Sequence, residues 1–166
     1  MLIVLGGLPG TGKTTIAREI VARSPAVYLR IDTIEQAIVS AKVLAGDVGP
    51  AGYVVAYELA RANLALGQTV VADCVNPLPL TREAWRAVAS DSSSRVIEVE
   101  IVCSDVAEHR RRVTQRTCDI PGLAPPTWAS VQGRDYMPWT TQRLVIDTAI
   151  VSAADAARSI LGHLGD

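Results

Sequence analysis

A glycine-rich stretch near the start of the sequence, GGLPGTGKTT at residues 6–15, constrains the fold more than any other feature. It follows the apolar run LIVL and precedes IAREIVAR, a mixture of apolar and charged residues typical of a helix with one buried face. Glycines let the backbone turn so tightly that successive N–H groups point into one concavity, and the following helix directs the positive end of its dipole there. The stretch therefore predicts a strand, an anion-binding loop and a helix.

The spacing within this loop indicates which anion it binds. Residues 7–14, GLPGTGKT, match G-x-x-x-x-G-K-[ST] at every fixed position and resemble the phosphate-binding loop of P-loop NTPases. An ordinary glycine-rich turn is the alternative. The resemblance implies that Lys13 reaches the outer phosphates of a nucleotide and that the Thr14 hydroxyl binds Mg²⁺. The residues expected to contact the nucleotide are Gly7, Leu8, Pro9, Gly10, Thr11, Gly12, Lys13, Thr14 and Thr15.

Length and composition are typical of one globular domain spanning residues 1–166. Of the 166 residues, 49% are hydrophobic and 20% charged, which is enough for a single core. No segment approaches the ~20 apolar residues of a membrane span, and MLIVLGG carries no basic leader, so we expect a cytoplasmic protein without a membrane partner. The widely spaced Cys74, Cys103 and Cys118 predict neither a disulfide framework nor a zinc site.

The charged residues argue against a nucleic-acid partner without eliminating it. The formal net charge is −1, so the chain has no broad basic footprint. Nearly all basic residues are arginine, and the two lysines are Lys13 and Lys42. A compact ammonium suits a phosphate-binding loop, which explains a lysine at position 13.

Short apolar runs alternate with helical patterns along the chain. The candidate strands are residues 2–6, 26–30, 68–73, 95–103 and 142–147. Helical patterns begin near Lys13, near Asp32, at Pro50, at Thr81, near Asp105 and at Ser152. This alternation predicts a mainly parallel sheet with helices on both faces, in which ligands bind at the carboxyl ends of the strands.

Local signals mark the ends of three of these helices. Asp105 with Glu108, and Ser152 with Asp155, have the spacing of a capping box, and Gly67 follows the long helical pattern YVVAYELARANLAL. These residues therefore mark the starts of two predicted helices and the end of a third.

Asp32 follows the second strand and should lie at the same edge of the sheet as the phosphate loop. Aspartate at this position is also a good helix N-cap. A carboxylate close to the phosphates can instead accept the proton of an acceptor hydroxyl while that oxygen attacks the γ-phosphate of ATP. We favour this catalytic role, and the two roles are compatible.

Asp73 ends the third strand, in VVADCVNP, as a Walker B-type carboxylate does. Such a group orients Mg²⁺ directly or through water. The alternative is a turn residue at the end of a strand. We predict a metal site formed by Thr14 and Asp73. The fifth strand ends in Asp147-Thr148, which should face the same edge.

An arginine cluster lies in HRRRVTQR, one helix beyond the fourth strand. Arg112 and Arg116 are four residues apart and so share a helix face, from which Arg110 and Arg111 point away. Two cations at this spacing repel each other unless an anion lies between them, and guanidinium groups match phosphate oxygens. We predict that this pair stabilises the phosphates; the alternative is a solvated basic face. His109 is expected to be an exposed helix residue.

The segment that follows, TCDIPGLAPPTWASVQGRDYMPW, is rich in proline, glycine and aromatic residues. Phosphoryl transfer must exclude water, so residues 109–139 are predicted to form a lid in which Trp128, Tyr136 and Trp139 cover the site. Packed, inert aromatics are the alternative. We expect the acceptor to be bound by Asp32, Glu35, Asn76 and Arg134, and Arg134 could instead contact a phosphate.

With the phosphate loop, Asp32, Asp73 and the Arg112–Arg116 pair in this order, the chain resembles the small P-loop kinases of the AAA_33-type group. That group includes chloramphenicol phosphotransferase-like, gluconate kinase-like and polynucleotide kinase-like enzymes. The resemblance implies a P-loop NTPase three-layer α/β sandwich, whose five-stranded parallel sheet has adenylate-kinase-like connectivity and a helical lid. It also implies ATP and Mg²⁺ as cofactors, with Lys13, Asp32, Arg112 and Arg116 in catalysis.

One departure from this group concerns the acceptor. Polynucleotide kinases of this kind have an arginine one turn after the activating aspartate, whereas IDTIEQAI places Glu35 there. Glu35 would repel a phosphorylated acceptor, unless it is a simple solvent-facing residue. We therefore expect ATP-dependent phosphorylation of a small hydroxyl compound that is neutral or cationic. The alternatives are a polynucleotide 5′-hydroxyl kinase and a non-catalytic nucleotide-binding regulatory module. A GTPase is disfavoured because the chain has no N-K-x-D segment and no D-x-x-G at Asp73.

Overall fold

Strands and helices alternate along the chain, as the sequence predicts. The structure is a computed structural model that describes residues 1–43 and 46–163. In chain order the elements are β1 (Leu2–Gly6), α1 (Lys13–Arg23), β2 (Val27–Arg30), α2 (Ile31–Ser40), α3 (Ala51–Ala65), β3 (Val70–Asp73), α4 (Pro79–Asp91), β4 (Val96–Val102), α5 (Val106–Gln115), α6 (Trp128–Gln132), β5 (Leu144–Asp147) and α7 (Ala153–Gly162).

The five strands form one parallel sheet in the order β2-β3-β1-β4-β5. This confirms the predicted sheet and its adenylate-kinase-like connectivity. In the register, Asp73 lies beside Leu5 on one side and Arg30 on the other, and Val102 lies beside Asp147. The carboxyl ends of the strands therefore meet at one edge, where the predicted site residues follow them.

Side chains alternate between the two faces of the sheet, and each face has its own core. Leu2 and Val4 of β1 pack with α3 and α4, whereas Ile3 and Leu5 pack with α1 and α7. All four side chains are fully buried. A parallel sheet covered on both faces requires this continuous apolar run, and the three-layer α/β sandwich is confirmed.

Most helix ends follow the local signals. The Asp105 side chain accepts a hydrogen bond from the Glu108 backbone N–H at 3.0 Å, and the Ser152 hydroxyl accepts one from the Asp155 N–H at 3.1 Å. Gly67, with φ of 76°, follows the end of α3. These contacts satisfy backbone groups that helix ends leave free.

Two details differ from the predictions. Helix α4 begins at Pro79 rather than Thr81 because the fixed φ of proline suits the first position of a helix. The short helix α6 was not predicted; it begins after Thr127, whose hydroxyl accepts a hydrogen bond from the Ser130 N–H at 3.1 Å.

We also compared each helix in the described ranges with the length and apolarity needed to cross a lipid bilayer. None of them meets both requirements.

Candidate active site

The glycine-rich loop between β1 and α1 has backbone geometry that depends on glycine. Gly7 has φ of 140°, and a Cβ there would lie 2.2 Å from the Ile101 carbonyl oxygen. Gly10 has φ of 85°, and a Cβ there would lie 2.5 Å from Cγ2 of Val113. The loop therefore packs against β4 and α5 so closely that a side chain at either position requires rearrangement.

Lys13 is held inside this loop. Its side chain is buried, and Nζ donates a hydrogen bond to the Leu8 carbonyl oxygen at 2.9 Å. Burial lowers the pKa of Lys13, while the charges of Asp73 and Asp32 act in the opposite direction. A desolvated cation with so few partners gains most from an anion in the loop.

Asp73 lies at the end of β3 and receives two hydroxyl groups on one oxygen. Thr14 donates to Oδ2 at 2.7 Å, and Tyr28, from the neighbouring strand β2, donates to the same oxygen at 2.8 Å. Burial raises the pKa of the Tyr28 hydroxyl, with the charge of Asp73 next in effect. The pairing fixes the carboxylate beside Thr14 and leaves the second oxygen, Oδ1, without a described protein partner.

These donors fit Mg²⁺, an ion that prefers oxygen ligands and usually takes one or two carboxylates together with phosphate oxygens and water. In the described ranges, no group of three or more His, Cys, Asp or Glu residues could hold a metal by itself. Thr14 and Asp73 would therefore supply the protein ligands, directly or through water.

Replacing Tyr28 by phenylalanine should lower the free energy of unfolding by about 1.5–3 kcal/mol, because a buried carboxylate loses a hydroxyl donor. Chemical denaturation measures this change. Tyr57→Phe is the matched control, since the Tyr57 hydroxyl donates only a long 3.4 Å bond to the Thr81 carbonyl. Equal losses in the two variants would mean that the Asp73 contact contributes nothing specific.

A cavity of about 750 Å³ opens at this edge of the sheet. Its volume lies within the range of small-molecule sites. The predicted site residues that line it are Pro9, Gly10, Gly12, Lys13, Thr14, Thr15, Asp32, Glu35, Asp73, Arg112, Arg116 and Arg134. Gly7, Leu8, Thr11 and Asn76 do not line it. The structure thus places most of the predicted nucleotide, acceptor and metal residues around one space.

Asp32 is not the N-cap of α2. Arg30 occupies that position, Asp32 is the second residue of the helix, and no side chain caps its end. The capping alternative is therefore wrong, because β2 runs directly into α2 and the helix begins two residues earlier than a cap at Asp32 requires. The Asp32 carboxylate lines the cavity instead.

Glu35 lies one turn after Asp32 and lines the same wall. It packs against α3 so closely that a Cβ on Gly52 would lie 2.3 Å from Cγ of Glu35. Burial raises the pKa of Glu35, and the charge of Asp32 adds to this effect, while Arg134 opposes it. Glu35 is thus a half-buried cavity residue, and the solvent-facing alternative is wrong.

Asn76 is placed differently from its prediction. The residue is fully buried, with φ of 52°, and its backbone N–H donates to the Tyr53 hydroxyl at 2.9 Å. Its carbonyl accepts a 3.1 Å hydrogen bond from Arg82. These contacts bury Asn76 behind Val75 and Pro77, which line the cavity in its place. The predicted acceptor contact at Asn76 is not found in this arrangement.

The two predicted phosphate-binding arginines both line the cavity, although α5 ends at Gln115, so that Arg116 is the first residue beyond it. Arg112 donates to Glu108 at 2.7 Å and to the Thr148 hydroxyl at 2.8 Å. The Thr148 hydroxyl in turn lies 2.8 Å from the Thr11 carbonyl oxygen, which ties the end of β5 to the phosphate loop.

His109 is buried, not exposed as predicted. Its Nε2 lies 2.8 Å from the Pro9 carbonyl oxygen, and its ring packs edge-on against Trp128 at 5.1 Å between centroids. Helix α5 turns this face to the loop because Gly10 carries no side chain there. His109 therefore couples α5 to the phosphate loop.

The aromatic residues of the predicted lid do not line the cavity. Trp139 is buried, where a Cβ on Gly6 would lie 3.0 Å from its Cζ2, and the Arg82 guanidinium lies 4.2 Å from its ring. Tyr136 accepts a hydrogen bond from Trp139 and donates one to Glu100. The prediction was wrong for Trp139 and Tyr136 because polar partners on α4 and β4 hold these two rings against the sheet. Trp128 packs against His109 of α5 instead. Other residues of the 109–139 segment line the cavity instead: Thr117, Cys118, Asp119, Leu123, Ala124, Pro125, Pro126 and Ser130.

Three charged residues of the cavity wall were not predicted: Arg18, Arg30 and Asp119. Arg30 is only 6% exposed, and its Nη1 donates to Asp119 at 2.8 Å, while Arg18 pairs with the same carboxylate. A charge at the end of an apolar strand, as in VYLR, was the available signal for Arg30.

The fold and this site together define a kinase-like P-loop NTPase. A family model described as "AAA domain" matches residues 2–120, which is more than half of the chain. The chain belongs to this family, AAA_33.

Curated relatives include an uncharacterized protein of Mycobacterium tuberculosis (strain ATCC 25618 / H37Rv) and another of Mycobacterium bovis. Each is 29% identical over 109 residues, which cover 58% of this chain and 22% of the relative. The chain thus matches about a fifth of the length of these relatives.

Solved structures with the same fold include kinases and complexes with nucleotide analogues. Kti12 of Chaetomium thermophilum in complex with ADP-AlF3 has a TM-score of 0.73 and 19% identity, over 100% of this chain and 98% of that one. A gluconokinase from Sinorhizobium meliloti has a TM-score of 0.68 and 18% identity, over 98% of this chain and 90% of that one. The Mycobacterium tuberculosis APS kinase CysC, in complex with AMPPNP and APS, has a TM-score of 0.64 and 17% identity, over 99% of this chain and 97% of that one.

Proposed function

We propose that this protein is an ATP-dependent phosphotransferase that moves the γ-phosphate of ATP to a hydroxyl group of a small molecule. The observation that carries the proposal is a single cavity lined both by the phosphate loop, with Lys13 and Thr14, and by the Asp32 carboxylate. A phosphate donor and a proton acceptor at one site are the minimum for phosphoryl transfer to an alcohol.

The phosphate loop binds and orients the donor. Its backbone N–H groups and the N-terminus of α1 receive the phosphates, and Lys13 exchanges the Leu8 carbonyl for phosphate oxygens. Mg²⁺, held by Thr14 and Asp73, would neutralise charge on the outer phosphates. Tyr28 keeps Asp73 in place for this role.

Asp32 removes the proton of the acceptor hydroxyl while its oxygen bonds to the γ-phosphorus. The bond from that phosphorus to the β–γ bridging oxygen breaks, and ADP leaves with the bond's electron pair. Arg116 stabilises the charge that develops on the transferred group, and Arg112 is fixed nearby by Glu108 and Thr148. The segment from Thr117 to Ser130 excludes water.

The acceptor wall indicates the class of substrate. Asp32 and Glu35 place two carboxyl groups on one wall; burial raises the pKa of Glu35, and repulsion by the charge of Asp32 adds to this effect. A phosphorylated acceptor would add to this repulsion. We therefore propose a small hydroxyl compound that is neutral or cationic, with Arg134 as a further contact.

A transfer assay with γ-labelled ATP and Mg²⁺ tests this assignment. The expected result is labelling of at least one compound in a panel of sugars, polyols and amino alcohols, with 5′-hydroxyl oligonucleotides left unlabelled. Oligonucleotide labelling that falls steeply with added salt would establish a polynucleotide kinase instead, because phosphate contacts release counterions.

Nucleotide binding without transfer to any acceptor would favour a regulatory module, the second candidate. The structural similarity to Kti12, which was solved in complex with ADP-AlF3, is the observation that supports this second candidate. Binding of an ATP analogue, measured by calorimetry beside the transfer assay, separates the two.

A further inference from the structure

The four residues between the end of α5 and Ile120, Arg116 to Asp119, all line the cavity but belong to no helix or strand. We call residues 116–119 the crossing segment. A segment without the regular backbone hydrogen bonds of a helix or strand depends on side-chain contacts to hold one conformation. Arg116, which faces the phosphates in the proposed reaction, is the first residue of this segment.

Asp119, at the other end of the crossing segment, joins it to two separate elements. Its carboxylate accepts a 2.8 Å hydrogen bond from Arg30, at the end of β2, and pairs with Arg18 of α1. The hydrogen bond from Arg30 holds the pKa of Asp119 well below its ordinary value of 3.8. Because the pKa is depressed in the folded state, the contact is at full strength above pH 3.8 and is lost only under stronger acid.

Arg30 connects this contact to the metal site. Its side chain is 6% exposed, and its Nε lies 3.9 Å from Oδ2 of Asp73, the oxygen that also accepts the Thr14 hydroxyl. Nε and Nη2 of Arg30 are buried and have no hydrogen-bond partner among residues 1–43 and 46–163. Asp119 is therefore the closest counter-charge to a buried guanidinium, and its loss leaves that charge poorly compensated.

We propose that Asp119 is a positioning residue that fixes Arg116 over the phosphate loop before the nucleotide binds. Three peptide bonds separate Arg116 from Asp119, so even in an extended chain the Cα of Arg116 lies at most about 10–11 Å from the anchored Cα of Asp119. The series Thr14, Asp73, Arg30 and Asp119 thus links the phosphate end of the site to the segment that carries Arg116. The catalytic consequence rests on the proposed function; the anchoring itself does not.

A double-mutant cycle tests whether Asp119 acts through Arg116. Arg116→Ala should lower kcat by about 10²-fold, the effect of removing one charge stabiliser. Asp119→Asn should lower kcat by about 10-fold while KM for ATP changes less than about 2-fold, because only the transition-state contact is misplaced. In the Arg116→Ala background the second substitution should have no further effect. Independent, multiplying effects would overturn the positioning role.

Limited trypsin digestion tests the anchoring without any activity. Trypsin cleaves after arginine, and the Arg116–Thr117 bond should be cut at least about 10-fold faster in Asp119→Asn than in the unaltered protein, as mass spectrometry of the fragments reports. Asp91→Asn is the control, since it breaks an exposed ion pair between Asp91, the last residue of α4, and Arg61 of α3. Equal cleavage rates in all three proteins would refute the anchor. Faster cleavage in a protein that transfers no phosphate would instead refute the proposed function alone.

Discussion

Replacing Lys13 by alanine is expected to abolish phosphoryl transfer and leave the fold intact. Lys13 is buried but contacts the loop carbonyl of Leu8 rather than either apolar core, so its loss creates no large cavity under the sheet. Without its charge on the outer phosphates, kcat should fall by about 10³-fold or more. Transfer of label from ATP measures the activity, and far-ultraviolet circular dichroism measures the fold.

The stability of the Lys13→Ala variant should also differ from that of the unaltered protein in its dependence on pH and on ligand. Burial lowers the pKa of Lys13, so between that lowered value and 10.5 the unfolded chain binds more protons and stability rises with pH. The alanine variant should lose this alkaline rise. It should also lose the stabilisation of about 2.7 kcal/mol that a ligand gives at 100 times its Kd.

Lys42→Asn is the control, because it removes the other lysine at an exposed position where φ is 55°, a value that asparagine tolerates. We expect this variant to keep both the activity and the pH dependence. A Lys13→Ala protein that transfers phosphate at the normal rate would remove the role of the loop in phosphate binding.

Asp32→Asn should lower kcat by about 10²–10⁴-fold and change the affinity for an ATP analogue by less than about 2-fold. The substitution removes the proton acceptor but keeps a side chain of almost the same shape, and the loop that holds the nucleotide is unaltered. Because Asp32 does not cap α2, the free energy of unfolding should change little. Single-turnover kinetics and calorimetry provide the two measurements.

The same exposed control, Asp91→Asn, should leave kcat and the affinity for the ATP analogue unchanged. A loss of ATP-analogue affinity as large as the loss of kcat in Asp32→Asn would contradict the base assignment, because it would place Asp32 in nucleotide binding. Normal kcat with any acceptor would contradict it directly.

Much of the fold was predictable because its signals are local. Apolar runs of β-strand length, such as LIVLG and VVAD, alternate with helical patterns, and parallel strands bring their carboxyl ends to one edge. The positions of Lys13, Asp32 and Asp73 around one cavity follow from that rule alone. The fixed spacing of the phosphate loop then identified which edge carries the site.

The contacts that complete the site depend on tertiary structure. Tyr28 meets Asp73, Arg30 meets Asp119, and His109 meets Pro9 across 45, 89 and 100 residues of sequence. No periodicity specifies such pairs, because each depends on how closely two elements pack.

The aromatic residues of the predicted lid also show that sequence patterns do not specify contacts between distant elements. Composition indicated a cover for the cavity, but Arg82 and Glu100 hold Trp139 and Tyr136 against the sheet. The sequence by itself determined the phosphate loop, the order of strands and helices, and the edge where the site lies, because these rest on spacing and alternation. Only the tertiary structure decided which further side chains, such as Arg30 and Asp119, complete the cavity wall, because that depends on hydrogen bonds and packing between distant elements.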